Sequence, residues 1–358
     1  MPQHTEGPSA GAALSLQGLR MKNLPLGKLP IGLLSNLLER HRTPDPRVLL
    51  GPGIGLDCAV IDYGERLLVA KSDPITFTAQ DLGWYAIHVN ANDVATTGAR
   101  PRWFLATLLL PDDNAEEALV EVIFQQIHEA CRELGVALIG GHTEITSGID
   151  RPILAGTMLG EVARERLITP RGAQPGDRIL LTKGIPIEAA SILAREYATR
   201  LTDLPKETIA RAREYLHNPG ISVVAEAMAG SERGGVSAMH DPTEGGLASG
   251  LWELVLAADV GLEVDKAAIP ILPEAAAICD ALDVDPMEAI ASGALLLTVR
   301  PKSIMEVTTA IEAAGIEVSQ IGQVTTGHRV MIHSEGALRP LPHPPRDALA
   351  QLFERDSS

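Results

Sequence analysis

The sequence predicts an α+β protein of two domains. Its 358 residues are enough for about two domains. Short apolar runs pair locally as hairpins among longer helical segments, which fits mixed α+β better than strict βαβ alternation. A turn cluster at residues 169–177, Thr-Pro-Arg-Gly-Ala-Gln-Pro-Gly-Asp, divides the chain near its middle. The expected organisation is a flexible extension over 1–20, domains over 21–168 and 169–336, and a Pro-rich tail over 337–358.

In the first half, residues 29–40 read as a short helix, ended by Thr43-Pro44-Asp45-Pro46. Residues 48–50 form a strand stub running into the loop Gly51-Pro-Gly-Ile-Gly55. Segments 59–62 and 67–72, joined by Tyr63-Gly64-Glu65, read as a hairpin. Residues 81–97 read as a helix and 104–110 as a buried strand. The clearest helix is 114–134, where Leu119, Ile123, Ile127, Ala130 and Leu134 share one face. Gly135 stops it. A strand at 136–139 is expected to end in the turn Gly140-Gly-His-Thr-Glu144, before another strand at 153–162.

In the second half, strands are expected at 178–182, 236–239, 261–264, 294–299, 318–324 and 329–333. Helices are expected at 187–197, 206–216, 221–229, 246–258, 273–282 and 302–314, with a short one near the C-terminus. No short-period repeat is present.

Composition narrows the function. The net charge of −16 and an aromatic content of 3 % argue against a nucleic-acid partner. No apolar run reaches the ~18 residues of a membrane span. No basic and apolar leader precedes the first element, and the three cysteines, Cys58, Cys131 and Cys279, form no CxxC. The cytoplasm is the expected compartment. A P-loop is missing, and the Gly51–Gly55 loop is followed by a strand-like segment, so a Rossmann site fails its context. An HExxH motif is absent too. What remains is a set of acidic residues at element ends: Asp57, Asp73, Asp93, Glu144 and Asp241. Each alone is as readily a cap or turn residue. Gathered in one cleft, they would suit Mg²⁺ and a polyphosphate. His142 and His240 flank the same turns.

Four motifs in order carry a family resemblance. Asn92-Asp-Val-Ala-Thr-Thr-Gly-Ala-Arg-Pro101 resembles the ND-hydrophobic-A-x-x-GA-x-P motif of the aminoimidazole ribonucleotide synthetase (PurM-like) superfamily. Gly140-Gly-His-Thr-Glu144, Gly172-Ala-Gln-Pro-Gly-Asp177 and Asp241-Pro-Thr-Glu-Gly-Gly-Leu247 are similar to its GG-[DEH]-[TS], GA-x-PGD and D-x-[TS]-x-GGL motifs. Within the superfamily the likeness is greatest to the hydrogenase maturation protein HypE and its relatives.

The resemblance implies a two-domain PurM-like fold. Its N-terminal domains pair into a dimeric β-barrel, and its C-terminal domain is an α/β sandwich. It also implies a homodimer that uses ATP and Mg²⁺ to phosphorylate or activate the oxygen of a small acceptor. By resemblance, Asp93, Asp241 and His142 are the catalytic candidates. Gly53, Gly55, Asp57, Asp73, Asn92, Gly140, Gly141, Thr143 and Thr243 would line the nucleotide site, with Asn92 holding phosphate or a neighbouring carboxylate. Asp57, Asp73, Asp93, Glu144 and Asp241 would face Mg²⁺. Three departures bear on the acceptor. His142 replaces the usual acid, leaving Glu144 as its substitute. Glu244 stands where a basic residue is common. The chain ends Leu352-Phe-Glu-Arg-Asp-Ser-Ser358, without the family's terminal cysteine. Alternatives are a nucleotide-binding partner in a maturation complex and a kinase resembling thiamine monophosphate kinase.

Overall fold

The structure is a computed structural model that describes residues 24, 29–41, 43–53, 56–76 and 80–357. The expected extension over 1–20 and Gly55 lie outside these residues. The first unit of the chain, Met1–Arg42, contributes helix α1 (Ile31–Arg40), in which Asn36 Nδ2 donates to the Gly32 carbonyl. The second unit, Thr43–Ser358, holds everything described below.

Its first layer is a six-stranded sheet. Strands β1 (Val48–Leu50), β2 (Ala59–Asp62), β3 (Arg66–Ile75), β4 (Arg100–Pro111), β5 (Ala137–Thr146) and β6 (Ile153–Ala163) are ordered β1-β2-β3-β6-β4-β5. Only β4 and β5 run parallel. One face is covered by α2 (Leu82–Thr96), against which α3 (Glu117–Leu134) packs. Strand β6 alternates cleanly: Leu154, Gly156 and Met158 point to the helices, while Ile153, Ala155 and Thr157 point to the other face, helix-free among the described residues of Thr43–Ser358. Thirteen of the fifteen residues of helix α2 are buried, polar ones such as His88, Asn90, Asn92 and Asp93 among them. That pattern marks a helix enclosed on every side. It lies between this sheet and elements of the second half.

The strand at 136–139 does not end in a turn. The Gly140-Gly141-His142-Thr143-Glu144 stretch continues β5 along β4, with a register shift that leaves Ile139 unpaired. Gly141 is required there. Its φ is +147°, and a Cβ would come within 1.8 Å of the Ala106 carbonyl oxygen. The glycine pair thus serves a bulged strand.

The second layer is a seven-stranded sheet. It consists of β7 (Arg178–Thr182), β8 (Val236–His240), β9 (Gly261–Asp265), β10 (Leu296–Val299), β11 (Val318–Thr325), β12 (Val330–Ser334) and β13 (Ala337–Pro340), ordered β13-β12-β9-β11-β7-β10-β8. Its helices are α4 (Ile187–Glu196), α5 (Lys206–Arg213), α6 (Val224–Glu232), α7 (Gly246–Ala258), α8 (Pro273–Leu282), α9 (Ile304–Ala313) and α10 (Ala348–Ser357). Central strand β7 is buried on both faces. Ile179 and Leu181 meet Leu247, Leu251 and Leu254 of α7, while Leu180 shares a core with Ala227 of α6 and Val307 and Ile311 of α9. Helices on both faces of one sheet make the α/β sandwich. A third apolar cluster joins α4 and α8, and Leu349 and Leu352 of α10 close it. Residues 337–358 therefore add both a strand and a helix to this half.

Candidate functional site

The site forms where α2 meets the end of β8. Two features of α2 place it there. Asn92 is fully buried; its Nδ2 donates to the Ile221 carbonyl and its Oδ1 accepts the Val223 amide, both at 2.8 Å. Asn92 therefore does not hold phosphate or a carboxylate: its amide is consumed in joining the two halves. The next residue, Asp93, points to β3, where Lys71 Nζ lies 2.9 Å from Asp93 Oδ2 and 3.4 Å from Asp73 Oδ2. Lys71 and Asp73 are two apart on a strand, so both face α2.

From the second half come His240, the last residue of β8, and Asp241. His240 Nε2 bonds Glu253 of α7 at 2.6 Å, and its Nδ1 lies 3.6 Å from Asp57. Gly245 and Gly246 open α7 with φ of +77° and +62°. A Cβ on Gly246 would meet the Met287 and Ala289 carbonyls at 2.5 and 2.6 Å. This tight turn fixes Asp241 relative to α7, and the Thr243 carbonyl accepts the Gly246 and Ala291 amides inside it. Thr243 is half-buried. Gly53 forms an isolated bridge with Leu56, just ahead of Asp57.

Electrostatics bind these residues into one cluster. Burial, and then the charge of Asp57, push the Asp93 carboxyl up to about 6 against the opposing pull of Lys71. Burial and the nearby Asp93 charge raise Asp241 well above the usual carboxylate range, with Asp57 adding to the effect. For His240, burial alone would lower the imidazole; the Glu253 hydrogen bond and charge, with Asp57 and Asp241, instead raise it to about 9. Lys71 stays charged: burial disfavours its ammonium, but the charges of Asp93, Asp73 and Asp57 outweigh burial. The cluster thus holds four carboxylates and two fixed cations.

Five expected residues, Gly140 to Glu144, are elsewhere. Strand pairing aligns His142 with Thr107, Ala155 and Pro74, on the helix-free face of the sheet, whereas Asp73 aligns with Gly156 and Ala106 on the helix face. Strand β5 is three strands from β3, about 14 Å at the usual strand spacing. Glu144, on the same face as His142, pairs with it at 3.1 Å in the open. Thr143 is exposed on this edge strand too. Within one subunit, then, His142, Thr143 and Glu144 do not join Asp93 and Asp241, because the Gly140-Gly141 segment is strand. Gly141 accommodates Ala106, and Gly140 lies beside it on the same distant edge.

Does the cluster fit a divalent cation? Both Asp241 oxygens are buried without a hydrogen-bond partner. Oxygen donors suit Mg²⁺. Among the described residues no three His, Cys, Asp or Glu side chains converge as a complete ligand set. A cation here would take its remaining ligands from water or substrate oxygens, as Mg²⁺ commonly does. Lys71 is a site residue that no motif marks; its i, i+2 spacing from Asp73 on a strand is the signal the sequence offers.

Two sheets joined through a buried helix, with a carboxylate cluster at the joint, define a two-domain protein of the AIR synthase-related class. Residues 55–162 match the family described as AIR synthase related protein, N-terminal domain, and residues 174–334 match its C-terminal domain. The chain belongs to this PurM-like superfamily and stands close to HypE. It is 30 % identical over 270 residues to the carbamoyl dehydratase HypE of Cupriavidus necator, covering 73 % of this chain and 74 % of that protein. It is 29 % identical over 292 residues to a putative hydrogenase expression/formation protein of Methanocaldococcus jannaschii, covering 78 % and 84 %. The crystal structure of the hydrogenase maturation protein HypE in complex with ATP superposes with a TM-score of 0.67 at 23 % identity, over 90 % of this chain and 96 % of that one.

Proposed function

We propose that this chain is an ATP-using enzyme of the AIR synthase/HypE type that phosphorylates or activates the oxygen of a small acceptor. The observation that carries the reading is the buried pair Asp93 and Asp241, brought together from the two halves, with both Asp241 oxygens unpartnered. A similar protein, HypE, has been crystallised with ATP.

Asp93 and Asp241 would hold the Mg²⁺, and Asp57 and Asp73 border them. When bound, Mg²⁺ would neutralise the polyphosphate and stabilise charge at the transferred phosphoryl group. Lys71 and His240 set two further positive charges beside it. Burial of Asp93, His240 and Asp241 strengthens the interactions among them, while Asp57 and Asp73 stay open to solvent. Asn92 keeps Asp93 in place across the joint between the halves.

On this reading another molecule would bring the acceptor group. All three cysteines are buried, and burial raises each thiol above its ordinary range. None is a candidate carrier thiol. A carrier protein supplying the group accords with the reading of a partner in a maturation complex.

The helix-free face of the first sheet supports a homodimer. Leu68, Leu105, Leu109, Ile153 and Leu159 lie on it half-buried, and the edge strand β5 exposes Leu138, Ile139 and Ile145. Among the described residues of Thr43–Ser358 nothing covers this apolar face, and with a ten-residue edge strand beside it the face would suit a covering partner. A second copy would also put His142 and Glu144 at the seam. Among the described residues no helix is long and apolar enough to cross a membrane, and the free thiols fit a reducing cytoplasm.

The activity test is ADP release from Mg-ATP, with thiamine monophosphate as one trial acceptor. Turnover stimulated by that acceptor supports the kinase alternative. Slow turnover with it, but turnover on adding a carbamoylated carrier protein, supports the HypE-type reading. No ADP with either, despite nucleotide binding, leaves the non-catalytic partner.

A further inference from the structure

A lysine occupies the place where oxygen ligands are densest. Lys71 bridges Asp73 and Asp93 at ion-pair distances, and its side chain is only 13 % exposed. The groups facing it come from every element packed around it: Asp93 from α2, Asp73 from β3, and Asp57 from the segment before β2. Asp241, at the end of β8, adds a carboxylate to the same cluster, and His240 before it adds a cation. The two sides of the cluster differ. Asp73 and Asp93 already share a tethered cation. Both Asp241 oxygens are buried and hydrogen-bonded to nothing.

An ammonium and a divalent ion compete for such a position. Lysine brings one charge and three donors on a flexible stem, with no coordination sites to offer a phosphate oxygen. A metal ion placed between Asp73 and Asp93 would meet that charge at contact distance. We propose that the Lys71 ammonium takes the place of one divalent cation in this cluster, so that the site loads its metal on the Asp241 side and binds one metal ion fewer than it does without Lys71. The inference deepens the ATP reading above and rests on it. It makes Lys71 a positioning residue that sets the metal stoichiometry of the site.

The test counts bound Mn²⁺ by electron paramagnetic resonance at pH 8, for the full chain and for Lys71→Met and Lys71→Ser. Each is measured with Mn²⁺ alone and again with a non-hydrolysable ATP analogue. The expected result is one additional Mn²⁺ per subunit in both variants, with Mn²⁺ alone binding at least about tenfold more tightly. Equal counts and affinities in all three proteins would overturn the proposal. The arm with Mn²⁺ alone needs no nucleotide, so failure of the analogue to bind counts against the ATP reading and not against this one. Anomalous scattering from Mn²⁺-soaked crystals of the unaltered protein needs no variant. A peak between Asp73 and Asp93 overturns the proposal; Lys71 seated there, with Mn²⁺ only beside Asp241, supports it.

Discussion

Asn92 on α2 grips Val223 and Ile221, 131 and 129 residues further along the chain, with two hydrogen bonds of 2.8 Å. The neighbouring Asp93 contacts Lys71. One pair of adjacent residues therefore both joins the two halves and sets the carboxylate at their joint. Asn92→Ala leaves the Val223 amide and the Ile221 carbonyl unpaired in a dry interface. The expected cost is roughly 2–4 kcal/mol. Urea unfolding reads it as a lower midpoint, and a midpoint equal to that of the unaltered protein would show that Asn92 is not the clamp.

Asp241→Asn removes one of two buried like charges. Asp241 has a raised folded-state pKa, so its contribution is intact in acid and is lost as pH rises past the ordinary carboxylate range. Relative to the unaltered protein, the variant should gain stability progressively from pH 4 to pH 8 and lose divalent-dependent nucleotide binding. Thermal unfolding at a series of pH values, run beside a binding assay, checks both halves of this trade. A constant difference across pH would mean that Asp241 is not ionised in strained surroundings.

Glu188 of α4 is a second buried carboxyl. Burial pushes it up to about 7 from 4.5, and Oε2 has no partner. The stability it supplies when protonated is full below about pH 4.5 and disappears as pH rises through 7. Glu188→Gln should therefore stabilise the protein by up to about 3 kcal/mol at pH 8 and by almost nothing at pH 4.5. Denaturant melts at the two pH values decide it.

His240 should titrate near 9, held up against burial by Glu253 and Asp57. Its folded pKa is raised, so the stability of this pairing is complete below 6.5 and fades towards 9. Glu253→Gln should lower the His240 transition by about one unit or more. Proton NMR of the imidazole ring reads the shift directly, and an unmoved transition would remove Glu253 as its cause.

Most of the fold is legible in local patterns. Helices α7 and α8 begin where glycine and proline punctuation places them, and each ends at a left-handed aspartate, Asp259 and Asp283. The long hairpin of β2 and β3 follows from apolar runs around a glycine turn. The failures are non-local. A Gly-Gly pair reads as a turn, yet Gly140 and Gly141 extend a bulged strand whose need for glycine comes from Ala106 on the neighbouring strand. Strand β13 is four residues ending at a proline and is visible only through its pairing with β12. At the site, two motifs contain Asp93 and Asp241, and Asp57 and Asp73 stand out only as acidic residues at element ends, while Asn92, His142 and Glu144 take other places. Which of these face the joint depends on strand register and on partners more than a hundred residues away.

The central claim is that Asp93 and Asp241 form a divalent-dependent nucleotide site. Calorimetric titration with a non-hydrolysable ATP analogue, with and without Mg²⁺, tests it most directly on the unaltered protein and on Asp93→Asn. The account predicts Mg²⁺-dependent binding of about one nucleotide per subunit, weakened tenfold or more in the variant, about 1.4 kcal/mol. No binding by the unaltered protein, or equal affinity in Asp93→Asn, would contradict it.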